Sequence, residues 1–154
     1  MRVSEIMTKD VITVKEDTPI SDIAELLFDR NLTGVPVVSE DGRIVGIITE
    51  YDLMSDASKI HIPTYINLLT QLKMISGDTE SIKKNIDDIK RIRAEDIMTS
   101  PVVTISKDAE VAEAARIFTR QRINPLPVVD GAGVLQGIIS RADIVKLFHN
   151  KLGA

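Results

Sequence analysis

Asp52 and Asp143 carry the chemistry that can be read first. Each stands three positions after a hydroxyl residue that ends a short apolar run: Gly46-Ile47-Ile48-Thr49-Glu50-Tyr51-Asp52 and Gly137-Ile138-Ile139-Ser140-Arg141-Ala142-Asp143. A carboxylate at the start of a helix can accept hydrogen bonds from both hydroxyls of a ribose. The helix N-terminus beside it offers free N–H groups and a partial positive charge to a phosphate. The Thr49 or Ser140 hydroxyl adds a donor. An adenine ring needs an apolar slot with backbone groups at its edge, which the ends of valine-rich strands can supply. The same spacing is also a capping-box variant, worth about 0.5–2 kcal/mol with no ligand at all. For one copy the cap is the stronger reading. Only the duplication within a larger repeated frame moves the balance toward a ligand, because both copies would otherwise have to keep the pattern only as a cap.

Other candidates for chemistry are weaker. The chain has no Cys, which excludes disulfides, Cys–Zn sites and thiol nucleophiles. His61 and His149 lack ligand spacing and read as ordinary surface or helix-end residues. There is no Gly-rich phosphate loop of Walker or Rossmann type. No pair of carboxylates is placed for acid–base work, so an enzyme is not expected. The 154 residues carry a net charge of −4 with the signs well mixed. That balance argues against nucleic-acid or anionic-membrane binding, including through Arg91, Arg93, Arg120 and Arg122. Met1–Lys9 lacks the apolar core of a signal peptide, and no apolar run approaches membrane-spanning length. The expected compartment is the cytoplasm.

The elements that must position the two aspartates also come twice. Val35-Pro36-Val37-Val38 returns as Leu126-Pro127-Val128-Val129, and Ile6-Met7-Thr8 as Ile97-Met98-Thr99. Val11–Val14 returns as Val102–Ile105, and the offset is constant from Ile6/Ile97 to Asp52/Asp143. Two copies at a period of roughly 90 residues are not a solenoid but two homologous units packed together. In the first unit Ser4 is expected to cap one helical turn. Val11–Val14 reads as a strand, and Thr18-Pro19 as N-cap and first position of a helix reaching about Arg30. Ile20, Ile23, Ala24 and Leu27 form its inner face. Val35–Val38 and Arg43–Ile48 pair across an Asp41-Gly42 turn, and a second helix starts at Glu50. In the second unit Val102–Ile105 is the strand. Asp108 caps a helix with Val111, Ala115 and Phe118 inward. Leu126–Val129 pairs with Val134–Ile139 across Gly131/Gly133. Asp143–Asn150 closes the unit with Leu147 and Phe148 inward. With almost no aromatic residues, the core must be Ile, Val, Leu and Ala.

The segment between the copies has two apolar stripes at helical spacing. Tyr65, Leu68, Leu69, Leu72 and Ile75 form one, and Ile82, Ile86 and Ile89 the other. It reads as a helical arm that packs on its own module or on a second subunit. Residues 1–56 are thus the first repeat, 57–93 the connecting arm and 94–154 the second repeat.

The β-α-β-β-α repeat, with its h-P-V-V segment and G-h-h-[ST]-x-x-D before the last helix, resembles the cystathionine-β-synthase (CBS) domain family. Two copies in one short chain resemble that family's paired, or Bateman, module. The resemblance implies an α/β (α+β) fold in which the two repeats are related by a pseudo-twofold axis. It implies a regulatory, non-catalytic, energy-sensing module with no obligatory cofactor. AMP, ADP, ATP or S-adenosylmethionine would bind in clefts between the copies, and the chain would form a homodimer. The alternative is a structural or protein-interaction module with vestigial clefts.

The resemblance also makes the sites composite. One cleft would combine Thr8, Thr13, Leu32 and Thr33 with Ser140, Arg141 and Asp143. The other would combine Thr99, Thr104, Ile123 and Asn124 with Thr49, Glu50 and Asp52. The aspartates would hold ribose, the hydroxyls would face phosphate or adenine, and Leu32 and Ile123 would wall the base. Arg141 follows Ser140 where Glu50 follows Thr49. This reversal of charge leads to the expectation that the Asp143 cleft binds phosphorylated adenosine more tightly than the Asp52 cleft.

Overall fold

Short β-branched runs bounded by glycine turns form the sheets. The protein is described by a computed structural model covering residues 1–55, 87 and 90–152. Strand β1, Gly34–Val38, is buried along its whole length and pairs antiparallel with β2, Ile44–Thr49. Gly42 at their tip has φ +79°, the left-handed region where a side chain is costly. Beside it, a hydrogen bond from the Ser39 hydroxyl and the Arg43 guanidinium at 3.2 Å hold the Asp41 carboxyl below its ordinary range. The second unit repeats the hairpin. Strand β4, Leu126–Val129, pairs with β5, Leu135–Ile139, and Gly133 has φ +78°.

The leading strands are shorter than expected. Strand β3 is Ile105–Ser106, parallel to β4. In the first unit Val11–Val14 contributes a single parallel bridge, Val14 to Val37. The cause is visible in what the other residues do. Val11 and Ile12 wall one cavity and Val102 and Val103 another, so the backbone leaves the sheet before it can pair.

Helix starts also differ in detail. Helix α1, Ile20–Asp29, has Pro19 at its N-cap, because Pro19 is extended at ψ 142°. Thr18 is not the cap; its hydroxyl accepts the Lys15 N–H at 3.0 Å. Ile20, Ile23 and Leu27 are buried, as their spacing requires. The N-terminal turn is 3-10, Val3–Glu5, with Ser4 inside it and Arg2 at the cap position. Helix α2 is Glu50–Ser55 and the short α3 is Ala94–Ile97. Helix α4, Val111–Gln121, is preceded by Glu110 rather than capped by Asp108, which faces Arg2 at 3.4 Å. Its buried side chains are Val111, Ala114 and Phe118, while Ala115 is half-buried. Helix α5, Arg141–Leu152, turns Ile144 toward the core. Phe148, expected inward, is 62% exposed and joins Val145 in an outer apolar stripe. The expected arm, with Tyr65, Leu68, Leu69, Leu72, Ile75, Ile82, Ile86 and Ile89, lies outside the described residues.

The two units interlock by exchange. Val3, Ile6 and Met7, from the start of the first repeat, pack into the core of the second with Ile105, Phe118, Leu126 and Ile139. Ala94, Ile97 and Met98 pack into the core of the first with Ile23, Leu27, Val35 and Ile48. The backbone bridges are reciprocal. Thr8 pairs with Ile138 and Thr99 with Ile47; Arg2 pairs with Glu110 and Arg93 with Pro19. At the hairpin tips Ile44 N–H donates to Gly133 O and Leu135 N–H to Gly42 O. These backbone and core contacts thus have their partners under exchange of the repeats, which is the pseudo-twofold symmetry of the tandem α/β pair.

Candidate functional site

Each key aspartate sits in the first turn of a helix entered directly from a strand. Asp143 Oδ2 accepts the Ser140 backbone N–H and the Ser140 hydroxyl, both at 2.7 Å. Asp52 Oδ2 accepts the Thr49 N–H at 2.7 Å and the Thr49 hydroxyl at 3.2 Å. The capping pattern is therefore formed in both copies, and it uses one carboxylate oxygen. The second oxygen differs. Asp52 Oδ1 accepts the Thr99 hydroxyl at 3.0 Å. Asp143 Oδ1 has no hydrogen bond to the described residues, although Thr8, the repeat counterpart of Thr99, lines the same cavity.

Each aspartate lies at a cavity between the units. The Asp143 cleft, about 330 Å³, brings together Thr8, Leu32, Thr33, Ser140 and Asp143. Val11, Ile12 and Pro125 complete its apolar wall. The Asp52 cleft, about 270 Å³, brings together Thr49, Asp52, Thr99, Ile123 and Asn124, with Val102 and Val103 as wall. These volumes lie near the lower end of the usual range for small-molecule sites. The clefts meet at the symmetry axis: Asn124 Nδ2 donates to Thr33 Oγ1 at 3.4 Å, and Asn124 lines both cavities. The backbones approach closely there, since a Cβ on Gly34 would lie 2.8 Å from Pro125 Cδ.

Four expected residues fall outside the cleft linings. Thr13 and Thr104 are half-buried elsewhere. Glu50 is exposed, and only its backbone takes part, its N–H donating to Thr33 O at 3.1 Å. Arg141 donates its backbone N–H to Asn124 Oδ1 at 3.0 Å, while its side chain lines an outer groove with Phe118, Arg122 and Val145. The reason is helical geometry. Two residues back from the aspartate is a rotation of about 200° around the axis, which points Arg141 and Glu50 away from the cleft. The charge contrast between them therefore gives no basis for expecting tighter phosphate binding at Asp143.

Sequence reasoning missed Asp10, Asn31, Arg122 and Tyr51 in the linings. Asn31 and Arg122 are repeat counterparts, both left-handed at φ 51° and 54°, each just past the end of its helix. The signal that could have found Asn31 is its type, since Asn tolerates that backbone region. Arg122 carries no such signal. Among the described residues no cluster of His, Cys, Asp or Glu could hold a metal ion. None of their helices is long and apolar enough to cross a membrane.

The family model described as CBS domain matches residues 3–59 and 94–150. Among curated relatives, protein MJ1426 of Methanocaldococcus jannaschii is 28% identical over 95% of this chain and 90% of its own length. The chloroplastic CBS domain-containing protein CBSX1 of Arabidopsis thaliana is 30% identical over 94% of this chain. The chain spans 62% of CBSX1, and 24% of a homoserine O-acetyltransferase of Methanosalsum zhilinae that is 33% identical. Among solved structures, CBSX2 in complex with AMP has a TM-score of 0.72 at 26% identity, covering 97% of this chain and 96% of that one. The CBS domain pair of protein MJ0100, in complex with 5'-methylthioadenosine and S-adenosyl-L-methionine, has a TM-score of 0.69 at 28% identity, covering 98% of each.

Proposed function

The chain belongs to the CBS-domain family, and from that premise we propose that it is a non-catalytic regulatory module that binds adenosine-containing ligands in the clefts between its repeats. The observation that carries this reading is the pair of carboxylates, each fixed by its own strand-end amide beside an apolar slot. The slot takes the base, the aspartate takes the ribose diol, and Ser140 or Thr49 lies alongside. The cleft walls come from both repeats, so a bound nucleoside staples the two units together. Similar proteins crystallised with AMP, or with 5'-methylthioadenosine and S-adenosylmethionine, support the ligand class. In longer relatives such as the acetyltransferase the matching region is a minor part of the chain. That fits a module whose output is read by a partner rather than by chemistry of its own.

We further propose a cytoplasmic homodimer. The outer stripe of Val145 and Phe148, and Phe28 at 86% exposure, are apolar surface that a second copy would cover. Light scattering at micromolar concentration should give twice the chain mass; a monomer would contradict the dimer.

The ligand reading is tested by thermal unfolding. A ligand that binds the folded state alone adds about 2.7 kcal/mol at 100 times its dissociation constant. For a chain of this size each kcal/mol raises the midpoint by roughly 2–4 °C. AMP, ATP or S-adenosylmethionine should produce such a shift, and UMP and CMP should not. Equal shifts from purines and pyrimidines would remove the adenine slot from the reading.

A further inference from the structure

The two clefts have the same plan but not the same charge. Where the Asp143 cleft has Asp10 and Asn31 in its lining, the Asp52 cleft has their repeat counterparts, Pro101 and Arg122. The Asp143 cleft is therefore lined by two carboxylates and no cation, and the Asp52 cleft by one carboxylate and one guanidinium, that of Arg122, which stands between this cleft and the outer groove. Lys146 does not line the Asp143 slot. It lies one turn further along α5, in an adjoining cavity of about 270 Å³ that shares Thr8 and Asp143 with the slot. Counting it still leaves that side net acidic. Asp10 and Arg122 are both exposed, so the difference acts on a 5' group that comes close to them rather than throughout the cavity.

The second oxygen of each aspartate agrees with this division. Asp143 Oδ1 is available to a ribose hydroxyl among the described residues, so that cleft needs no help from a phosphate. At Asp52 the ribose must displace the Thr99 hydroxyl at 3.0 Å, and an anionic 5' group drawn to Arg122 offsets that loss. We propose that the Asp143 cleft selects adenosine ligands whose 5' substituent is uncharged or cationic, such as a thioether or sulfonium, and that the Asp52 cleft selects 5'-phosphorylated adenosine. This assignment rests on the adenosine-binding reading and divides its ligands between the sites.

Calorimetry with 5'-methylthioadenosine, S-adenosylmethionine and AMP tests it, using the natural exchange between the repeats. Asn fits the left-handed backbone of position 122, so Arg122→Asn should fold and should weaken AMP by about tenfold, with the thioether unchanged to within about twofold. Asn31→Arg should weaken S-adenosylmethionine about tenfold more than it weakens the thioether, which meets the same added bulk but carries no charge. Asp143→Ala should remove the thioether and sulfonium events and spare AMP; Asp52→Ala should do the reverse. Ligands that bind but ignore Arg122→Asn and Asn31→Arg, or an AMP event lost in Asp143→Ala and kept in Asp52→Ala, overturn the assignment and leave the adenosine reading standing. Failure of all three compounds to bind the folded wild-type chain overturns both.

Discussion

On the proposed reading Asp143 has two jobs that a single substitution confounds. One oxygen holds the entrance of α5 through Ser140, the other has no hydrogen bond to the described residues, and the residue lines the cleft. Asp143→Ala removes both and should cost about 1 kcal/mol of stability through the lost cap as well as abolishing binding in its own cleft. Asp143→Asn separates them. Its side-chain oxygen can still accept the Ser140 N–H, so urea denaturation should place it within a few tenths of a kcal/mol of wild type. Its lost charge should still weaken binding of a ribose diol measured by calorimetry. An Asn variant that binds as well as wild type would reduce Asp143 to a cap. The residues behind this prediction were legible because a spacing of three is local: Ser140 and Asp143 meet within one helical turn whatever the rest of the chain does. Asp10 and Arg122 were not legible, because their place in a cleft depends on which surface of the other repeat comes to face them. Arg141 was misread for a related reason. Its nearness in sequence to Asp143 hid the half-turn of helix that directs it to the opposite side.

Strand β5 shows how an element can be read correctly while its packing is missed. Gly137 reads as part of a hairpin strand, and the hairpin is there. What its lack of a side chain permits is the seating of Met7 from the other repeat. A Cβ on Gly137 would lie 2.5 Å from Met7 Sδ and 2.9 Å from Thr8 O. Gly46 makes the same notch for Met98 in β2. Backbone and side chain are both in the way, so Gly137→Ala should destabilise the protein by about 1–3 kcal/mol through overpacking. Adding Met7→Ala should relieve part of that, giving a coupling energy of about 1 kcal/mol in a double-mutant cycle. Strict additivity of the two changes would mean that the notch does not seat Met7. Hairpins and helices were legible because they follow from alternating or 3.6-residue patterns inside one segment. The leading strands were overextended because an apolar run lining a cavity has the same composition as one in a sheet: Val11 and Ile12 wall a cleft, as Val102 and Val103 do.

At the scale of the whole molecule, neither repeat closes its own core. The second unit is completed by Val3, fully buried among residues that lie a hundred positions later, and the first by Ala94 and Ile97. A gap-free repeat suggests two units side by side; the exchange of their leading turns is a long-range arrangement that no local pattern records. Its consequence is that damage at the N-terminus is felt in the other half. Val3→Ala removes two buried methyl groups and leaves a partly filled space, a cost of about 2 kcal/mol. Hydrogen exchange should locate the loss: amides of α4, β4 and β5 should open more readily, while those of α1, β1 and β2 keep their protection apart from the change in global stability. The same segment carries Thr8 into the Asp143 cleft, where its backbone is paired with Ile138 by hydrogen bonds of 2.9 Å in both directions. On the proposed reading a ligand seated there would clamp the exchanged segment against β5. Saturating ligand should slow exchange at the Thr8 and Ile138 amides together, and Val3→Ala should weaken binding in that cleft while leaving the Asp52 cleft close to its wild-type affinity. Loss of protection confined to residues 1–8, with α4 and the Asp143 cleft unaffected, would mean that the N-terminal turn only decorates the second unit. Transmission into both would mean that the ligand senses whether the two halves are locked.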